Sequence, residues 1–361
     1  MKSIADYVAL EPEYYQNILD NYQTLFGNTI DLSKVKQLNA IVIFATGSSA
    51  NAAYGARPFM SKLLKVPVYI EDPSMAANYL YYNDPNTLYF AISQGGESYS
   101  TIYLVEQFVN NNQTIYTLTS NPKSPLYKVS NHVLSMGMPI EEMPYVSVGY
   151  SVTILDLMLI TLVIGTKTER INQKQFDDLF EQMRNITQSL PQIIKQSKIW
   201  VNRYQDLFYH AQRVILIGYG ATYGVAREGE TKFTETVRNT AFGKELEEYM
   251  HGPYLGLHTD DCIIFIEPHG RLVQRAETLK EFLNQYVPNV LTIYSQNTSS
   301  LKTTDFCLNI ECDELLTSLF MTVPIHLLSY QVSQLKGHNL EKSTYPEFDQ
   351  ITKSKIKRII K

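Results

Sequence analysis

The sequence predicts an α/β protein made of two doubly wound, parallel-sheet domains in tandem. Short β-branched runs alternate with helical stretches along the chain, and each predicted strand is almost wholly apolar. Strands of that composition are typical of parallel sheets whose two faces are both covered by helices. The length of 361 residues also exceeds what one ordinary core requires, so two domains are expected.

The two halves show the same order of predicted elements. In the first half, helices are expected over 51–64 and 98–111, and strands over 40–46, 66–70, 87–93, 114–119 and 131–134. A long helical stretch follows from about Val148 to Gln212 and is expected to bridge the halves near 190–200. In the second half, strands are expected over 214–218, 262–267, 290–295 and 306–310.

Two weak similarities suggest that the second half repeats the first. The segment VIFATGSS (42–49) resembles VILIGYGA (214–221), and AISQGGES (91–98) corresponds to FIEPHGRL (265–272) at nearly the same offset. We therefore expect a first domain with an N-terminal helix at residues 1–190, a second domain at 191–340 and a C-terminal tail at 341–361.

Composition argues against several classes of partner. The net charge is −5, from 31 basic and 36 acidic residues, which does not favour nucleic-acid binding. We interpret the basic run at 353–361 as a solvated tail. No nucleotide motif is present, and the spacing of three cysteines, Cys262, Cys307 and Cys312, fits no zinc site. The sequence therefore predicts neither a cofactor nor a metal.

The sequence also predicts a cytoplasmic protein without membrane association. The N-terminus lacks the apolar core of a signal peptide. The longest apolar run, 152–164, is too short to span a bilayer and contains Asp156.

Two loops of the first half share one design, in which a strand breaks into small polar residues before a helix. These loops contain Gly47, Ser48 and Ser49 after the first strand, and Ser93, Gln94, Gly95 and Ser98 after the third. Glycines and serines before a helix N-terminus suit a phosphate group. The alternative is that Ser49 or Ser98 only caps a helix. Two such loops at strand ends favour a ligand.

A second group of residues suits proton transfer. Lys232 and Glu235 lie three apart in a helix expected over 222–237, so they share one face. A carboxylate can move a proton beside a carbonyl, whereas the alternative is an exposed ion pair. His251 precedes Gly252-Pro253, where it either protonates a sugar ring oxygen or caps a helix.

The motifs TGSSANA and ISQGGESYST resemble those of the SIS (sugar isomerase) domain family. The whole chain is similar to the isomerase half of glucosamine-6-phosphate synthase and to fructosamine-6-phosphate deglycases. The resemblance implies two flavodoxin-like, three-layer αβα SIS domains. It also implies that the phosphate of a hexose 6-phosphate is held by Ser48, Ser49, Ser93, Gln94 and Ser98. Gly95 stands where the family often has serine, so one hydroxyl contact is lost.

The pattern K-x-x-E followed by H-G-P resembles the isomerase motif of the same family. The resemblance implies Glu235 as the proton shuttle, Lys232 as its neighbour, and His251 as the ring-opening residue. In the family this histidine enters the site of the other subunit, so a homodimer is implied. The family's acidic residue after the first domain's last strand corresponds to Glu142.

Family members also lay a tail lysine over the sugar. Two residues of this chain match that pattern, Lys342 and Lys353, and we prefer Lys353. The corresponding loops of the second half lack serines, so only the first half is expected to bind phosphate; Glu267 and His269 could line the pocket, but a structural turn is favoured for them.

We therefore expect a phosphosugar isomerase or deglycase that acts through ring opening and proton transfer between C1 and C2. Its substrate would be a hexose 6-phosphate or a 6-phosphorylated fructosamine or amino sugar. The deglycase or amino-sugar subclass is preferred, and glutamine-dependent amide transfer is not expected, because no glutaminase domain precedes the SIS part. The alternative is a non-catalytic, sugar-phosphate-binding regulatory protein, which need not keep Lys232, Glu235 and His251.

Overall fold

A computed structural model describes residues 1–33, 35, 37–298 and 301–356. Two five-stranded, all-parallel sheets flanked by helices confirm the predicted tandem α/β architecture. Of the tail predicted at 341–361, the last five residues lie outside the described residues, and these include Lys357, Arg358 and Lys361.

The first sheet and its helices occupy the first 135 residues. The elements are α1 (Ile4–Tyr22), β1 (Ala40–Phe44), α2 (Gly47–Leu64), β2 (Val68–Glu71), α3 (Pro73–Tyr79), β3 (Thr87–Ile92), α4 (Tyr99–Asn110), β4 (Tyr116–Thr119), α5 (Pro125–Val129) and β5 (His132–Ser135). Two long helices follow, α6 (Val148–Lys167) and α7 (Gln173–His210).

The second sheet follows α7 and is completed by its own helices. The elements are β6 (Arg213–Gly218), α8 (Thr222–Lys232), β7 (Thr240–Glu245), α9 (Leu246–Met250), β8 (Cys262–Glu267), α10 (Val273–Leu283), β9 (Asn289–Tyr294), β10 (Phe306–Cys307), α11 (Val323–Leu335) and α12 (Phe348–Thr352).

Both sheets have the same strand order. The first runs β2-β1-β3-β4-β5 and the second β10-β9-β8-β6-β7, which is the same sequence of neighbours read from the opposite edge. This order is that of flavodoxin-like folds, and it places a topological switch point between the first and third strands of each half. In the first half, the two predicted ligand loops follow β1 and β3, so they meet at that switch point.

Some details of the secondary structure differ from the sequence prediction. Strand β7 was not predicted, because only Ala241 and Gly243 of this edge strand are buried and it lacks a continuous apolar run. The helical stretch predicted over 148–212 breaks at 168–172, where Glu169 has a φ of 56°. The boundary predicted near residue 190 stays a prediction; that position lies inside α7, beside Pro191, in the stretch expected to bridge the halves.

The apolar run predicted at 152–164 is part of a longer helix. Helix α6 has 20 residues and is long and apolar enough to cross a bilayer, and so is the segment Glu314–Leu335. The α6 window is 100% buried inside the protein and the second is 89% buried. Burial of that extent is what the central helices of a packed core show, and α6 packs against α1 and α2.

The two halves meet where α2 crosses α8. Gly224 of α8 lies against Gly55 of α2 so closely that a Cβ on Gly224 would be 2.3 Å from the backbone nitrogen of Gly55. The crossing therefore depends on the missing side chain, and it fixes the N-terminal end of α2 relative to the C-terminal end of α8.

We expect Gly224→Ala to lower the free energy of unfolding by about 1–3 kcal/mol or more, because the added methyl meets backbone that cannot rotate away. Gly256→Ala is the control, since a Cβ there would meet nothing within 4 Å. Urea unfolding of both variants measures the difference. Equal stability of the two variants would contradict a tight helix crossing.

Candidate functional site

One cavity of about 1210 Å³ lies at the carboxyl ends of the first sheet and extends to the second half and the tail. Its walls include both serine-containing loops, the end of α8 and the segment before Lys355. The lining residues include Thr46, Ser48, Ser49, Ser93, Gln94, Gly95, Glu97, Ser98, Glu141, Glu142, Lys232, Glu235, Arg238, Thr344, Asp349 and Lys355. The serine loops and the Glu235 carboxylate thus line one cavity.

The first loop leads directly into α2. Gly47 has a φ of 56°, and it begins the helix four residues earlier than the sequence indicated. Ser49 lies inside the first turn of α2 and is therefore not its N-cap. The hydroxyl of Ser48 donates a hydrogen bond to Glu228 Oε1 at 3.0 Å, so in this conformation it links the loop to the second half.

Contacts with the protein interior hold the second loop in place. Gly96 has a φ of 65° and packs so tightly that a Cβ would lie 2.2 Å from Ser124 Oγ. The side chain of Gln94 is buried, and its Nε2 lies 3.4 Å from Glu141 Oε1. Ser98 precedes α4, but its side chain makes no capping bond. Neither Ser49 nor Ser98 therefore acts as a helix cap through its side chain.

The acidic residue that the sequence singled out, Glu142, is exposed and lines the cavity, whereas its neighbour Glu141 is buried. Glu141 accepts hydrogen bonds from Ser147 Oγ at 2.9 Å and from the Gly149 amide at 2.6 Å. It therefore ties Gln94 to the start of α6. Burial raises the pKa of Glu141 despite these bonds. The sequence offered two adjacent glutamates without indicating which one is internal.

Lys232 and Glu235 form the expected contact, but the pair is not an exposed one. The Lys232 side chain is fully buried and its Nζ contacts Glu235 Oε1, while about 33% of the Glu235 side chain remains exposed. The helix predicted over 222–237 ends as α-helix at Lys232 and continues as a π-helical turn, Phe233–Val237. π-helical turns are frequent at functional sites.

The pKa values of both residues in this pair lie above their ordinary values, for different reasons. Burial alone would lower the pKa of Lys232, but the carboxylates of Glu235 and Glu228 outweigh burial and hold it above its ordinary value. The ammonium therefore stays charged. Burial raises the pKa of Glu235 although Lys232 acts in the opposite direction. A carboxyl with a raised pKa is better matched to proton transfer near neutral pH.

Glu228 is a buried residue that the sequence did not reveal. Its carboxylate accepts a hydrogen bond from Asn51 Nδ2 at 3.0 Å and lies 3.4 Å from Lys232 Nζ and 3.5 Å from His326 Nε2. Burial would raise the pKa of Glu228, but these neighbours outweigh it and lower the pKa below its ordinary value. The only sequence feature that could have pointed to Glu228 is its i,i+4 spacing to Lys232, which places the two side chains on one helix face.

The remaining predicted residues lie elsewhere. His251 is exposed after α9 and does not line the cavity of its own chain. Lys342 and Lys353 do not line it either, because Lys342 lies before the lining segment and Lys353 ends α12 in the left-handed conformation. Lys355 does line it, 3.4 Å from Asp349 Oδ2.

The tail is fastened to the second loop by backbone hydrogen bonds. The amide of Tyr99 donates to the Ser354 carbonyl at 3.1 Å, and the amide of Ile356 donates to the Glu97 carbonyl at 2.8 Å. An antiparallel bridge pairs Ser98 with Lys355. The tail therefore forms part of the cavity wall, with Lys355 as its lining lysine.

The corresponding loop of the second half is filled by its own side chains. Glu267 is buried, and its Oε1 accepts hydrogen bonds from Tyr219 Oη at 2.5 Å and from the His269 amide at 2.8 Å. Neither Glu267 nor His269 lines the main cavity. A carboxylate thus occupies the turn where the first half has an open serine loop. Within the described part of the chain, no group of three or more His, Cys, Asp or Glu side chains is arranged to hold a metal.

Comparison with known proteins gives one family. The model of the SIS domain matches residues 34–164 and 207–335. The isomerising glutamine–fructose-6-phosphate aminotransferase of Acinetobacter baylyi is 25% identical over 321 residues, or 85% of this chain and 51% of that protein. Its counterpart in Idiomarina loihiensis is 24% identical over 334 residues, or 90% and 53%. The chain spans about half the length of these curated relatives.

Solved structures show the same fold. A proposed phosphosugar isomerase from Clostridium difficile 630 has a TM-score of 0.87 at 23% identity, covering 98% of both chains. The C-terminal domain of glucosamine-fructose-6-phosphate aminotransferase from Francisella tularensis has a TM-score of 0.84 at 21% identity, covering 94% of this chain and 98% of that one. Glucosamine-6-phosphate deaminase from Thermotoga maritima has a TM-score of 0.71 at 17% identity, covering 95% and 96%.

Replacing either of two buried glutamates by glutamine should change the free energy of unfolding, in opposite directions for the two residues. Glu228 is paired, so we expect Glu228→Gln to destabilise the protein by about 3–5 kcal/mol at pH 7, because Lys232 loses a buried partner. Since the pKa of Glu228 is lowered on folding, this loss should shrink as the pH falls below about 4.5.

Glu11 of α1 is the matched control, because burial raises its pKa from 4.5 to about 8. An acid with a raised pKa in the folded state makes the wild type less stable as the pH rises from 4.5 to 8. Glu11→Gln should therefore be more stable than the wild type above pH 8. Urea unfolding between pH 4 and pH 9 measures the free energy of unfolding of both variants. If both variants were more stable, or both less stable, than the wild type at pH 8.5, the claim that Glu228 has a charged partner and Glu11 has none would be refuted.

Proposed function

The chain belongs to the SIS domain family, and we propose that it is an enzyme acting on a hexose 6-phosphate or a 6-phosphorylated fructosamine or amino sugar. The reaction opens the sugar ring and moves a proton between C1 and C2. The observation that carries this proposal is the common cavity: two serine loops face the same space as a carboxylate with a buried lysine beside it.

In this proposal the phosphate lies at the switch point of the first sheet. The hydroxyls of Ser49, Ser93 and Ser98 and the free amides at the start of α2 would donate to its oxygens. Ser48 holds the loop against Glu228 and can turn to the phosphate only by giving up that bond. At Gly95 the phosphate could come close to the backbone, because the residue has no side chain and the space where a Cβ would lie is empty within 4 Å.

Glu235 is proposed as the base that takes the proton from one carbon and returns it to the next. Lys232 keeps the carboxylate in place and puts a fixed positive charge beside the oxygens on which negative charge develops. Because Lys232 is buried and held by Glu228 as well, this charge needs no rearrangement during the reaction. A protein that only binds the sugar does not require a carboxylate paired with a buried lysine, as Glu235 is with Lys232.

Ring opening needs an acid that the single chain does not bring to its cavity. We propose that His251 supplies it from the second subunit of a homodimer; its exposed position outside its own cavity supports this assignment. Lys355 is proposed in place of Lys353 as the tail lysine over the sugar.

We favour amino-sugar phosphates and fructosamine 6-phosphates as substrates. Two of the matched proteins are named as a fructose-6-phosphate aminotransferase and a glucosamine-6-phosphate deaminase, and both names refer to phosphorylated sugars that gain or lose an amino group. For a fructosamine 6-phosphate, proton transfer by Glu235 gives an imine, which water then cleaves to release the amine. A cytoplasmic location is part of the proposal, because phosphorylated sugars are intracellular metabolites.

Glu235→Gln should leave sugar-phosphate binding nearly intact, because the amide keeps the shape of the carboxyl, while turnover falls by at least about 100-fold. Product formation from a panel of 6-phosphorylated fructosamines and amino sugars, followed by mass spectrometry, measures this loss. An unchanged rate would remove Glu235 from the mechanism, and absence of any turnover by the wild type would favour a regulatory binding protein.

The double variant Ser49→Ala, Ser93→Ala should weaken phosphorylated ligands by roughly 10-fold or more, through loss of two charge-assisted hydrogen bonds. Unphosphorylated sugars should bind the double variant and the wild type alike. Titration calorimetry makes the comparison, with Ser189→Ala on the exposed face of α7 as the control. Equal weakening of both ligand classes would contradict a phosphate site at these loops.

A further inference from the structure

Three potential donors converge on one oxygen of the buried Glu228 carboxylate. Its Oε1 accepts a hydrogen bond from Ser48 Oγ at 3.0 Å, and it lies 3.4 Å from Lys232 Nζ and 3.5 Å from His326 Nε2. The other oxygen, Oε2, accepts a hydrogen bond from Asn51 Nδ2 at 3.0 Å. Ser48 and Lys232 line the cavity. Glu228 and His326 do not, so they connect the first serine loop to the buried lysine from behind the cavity wall.

His326 belongs to α11, and its side chain is fully buried. At 3.5 Å, Nε2 is too far from Glu228 Oε1 for a good hydrogen bond, and neither ring nitrogen has a hydrogen-bond partner among the described residues. A buried polar group without a partner costs free energy and is uncommon in a protein core. The ring of Tyr150 packs edge-on against the imidazole, with ring centroids 5.8 Å apart, and restricts its rotation. His326 is thus held next to Glu228 without being bonded to it.

The imidazole of His326 is suited to donate a hydrogen bond to this carboxylate. Burial lowers the pKa of His326, although Glu228 acts in the opposite direction, so the ring is neutral near pH 7. A neutral imidazole carries one N–H, and the proton is favoured on the nitrogen that faces a carboxylate. Burial would raise the pKa of Glu228, but the charge of Lys232 and the neighbouring donors outweigh it, so the carboxylate is ionised. A small movement of the ring would therefore complete a charge-assisted hydrogen bond.

Phosphate binding would disturb this arrangement at one point. In the proposed binding mode, Ser48 turns its hydroxyl to the phosphate and gives up its bond to Glu228 Oε1. A buried carboxylate oxygen that loses a donor costs free energy unless another donor replaces it, and Lys232 Nζ and His326 Nε2 both lie within 3.5 Å. A shift of Lys232 toward Glu228 would weaken its contact with Glu235. A shift of His326 would leave that contact intact.

We propose that His326 is a positioning residue, which replaces Ser48 as the donor to Glu228 when the sugar phosphate binds. Lys232 then keeps its contact with Glu235. This inference rests on the proposed function and adds a coupling between the phosphate site and the base, through residues outside the cavity. Because such a coupling is reciprocal, a variant without the replacement donor should bind the phosphate more weakly. The competing assignment is that His326 only fills space in the core.

The test is a double-mutant cycle on ligand affinity. His326→Met keeps most of the volume but removes the donor, so it should weaken sugar-phosphate binding by about 10- to 100-fold, the worth of a hydrogen bond to a charged group. His326→Gln should bind nearly as the wild type does, because its amide can bring an N–H to the same place. In the Ser48→Ala background, His326→Met should change the affinity by less than about 2-fold, because Glu228 has no serine bond to lose on binding.

Two controls isolate the path through Ser48. Ser49 is proposed to bind the same phosphate, but the serine of this loop that is bonded to Glu228 is Ser48. His326→Met should therefore still weaken the ligand in the Ser49→Ala background. Ser333→Ala removes a side-chain hydrogen bond within α11 and should leave the affinity unchanged. Titration calorimetry is done with fructose 6-phosphate, glucosamine 6-phosphate and one fructosamine 6-phosphate, and the cycle uses the one that the wild type binds most tightly.

A second measurement uses the wild type, so it remains available if His326→Met does not fold. Nuclear magnetic resonance of isotope-labelled histidine rings follows the Nε2–H of His326, which is assigned by its absence from His326→Gln. Addition of the sugar phosphate should shift this proton downfield and slow its exchange with solvent, because it enters a hydrogen bond with a carboxylate. In ligand-free Ser48→Ala the same shift should already be present.

Each outcome decides between the ideas. If His326→Met weakens the ligand equally in the wild-type and Ser48→Ala backgrounds, or if His326→Gln binds as weakly as His326→Met, the replacement of Ser48 by His326 is refuted. If the ligand binds but neither the affinity of His326→Met nor the ring proton changes, the inference fails and the proposed function stands. If the wild type binds none of the three sugar phosphates, the proposed function fails and the inference fails with it.

Discussion

The crossing of α2 and α8 at two facing glycines is the constraint on which the candidate site depends. Helix α2 begins at the loop with Ser48 and Ser49, and α8 ends at Lys232, so the crossing decides whether these ends share a cavity. Glu228 adds a polar connection at the same place, because its carboxylate takes bonds from Asn51 and Ser48 of one half and lies beside Lys232 of the other. The relative position of the Ser48–Ser49 loop and the Glu235 carboxylate is thus set by backbone packing and one buried charge.

The repeated architecture places different residues at corresponding positions of two similar halves. Both have the same strand order, and in both a turn follows the third strand of the sheet. In the first half that turn is open, with glycines and serines facing the cavity, whereas in the second half Glu267 and Tyr219 fill it. The second half instead contributes α8 with its buried lysine, so each sheet supplies a different part of one site.

Much of the fold could be predicted from the sequence, because strands buried on both faces leave continuous apolar runs. Part of the candidate site could be predicted as well, because the serine loops and the Lys232–Glu235 spacing are local sequence patterns. Strand β7 was missed because an edge strand lacks that run. The positions of Glu141, Glu228 and His326 could not be predicted, because each depends on burial and on contacts with residues distant in the chain. Lys355 was missed because the tail is positioned by backbone bonds to the 97–99 loop, which no spacing rule anticipates.

The attachment of the tail bears on how the proposed sugar substrate would reach the cavity. Two backbone hydrogen bonds join the tail to the 97–99 loop, and helix α12 of the tail has no buried residue. Such a segment frays at little free-energy cost while both sheets stay folded, so its amides should exchange with solvent far faster than those of β1 or β3. Access to the cavity is therefore expected to be a local opening event, and in the proposed reaction release of product through the same exit would limit turnover.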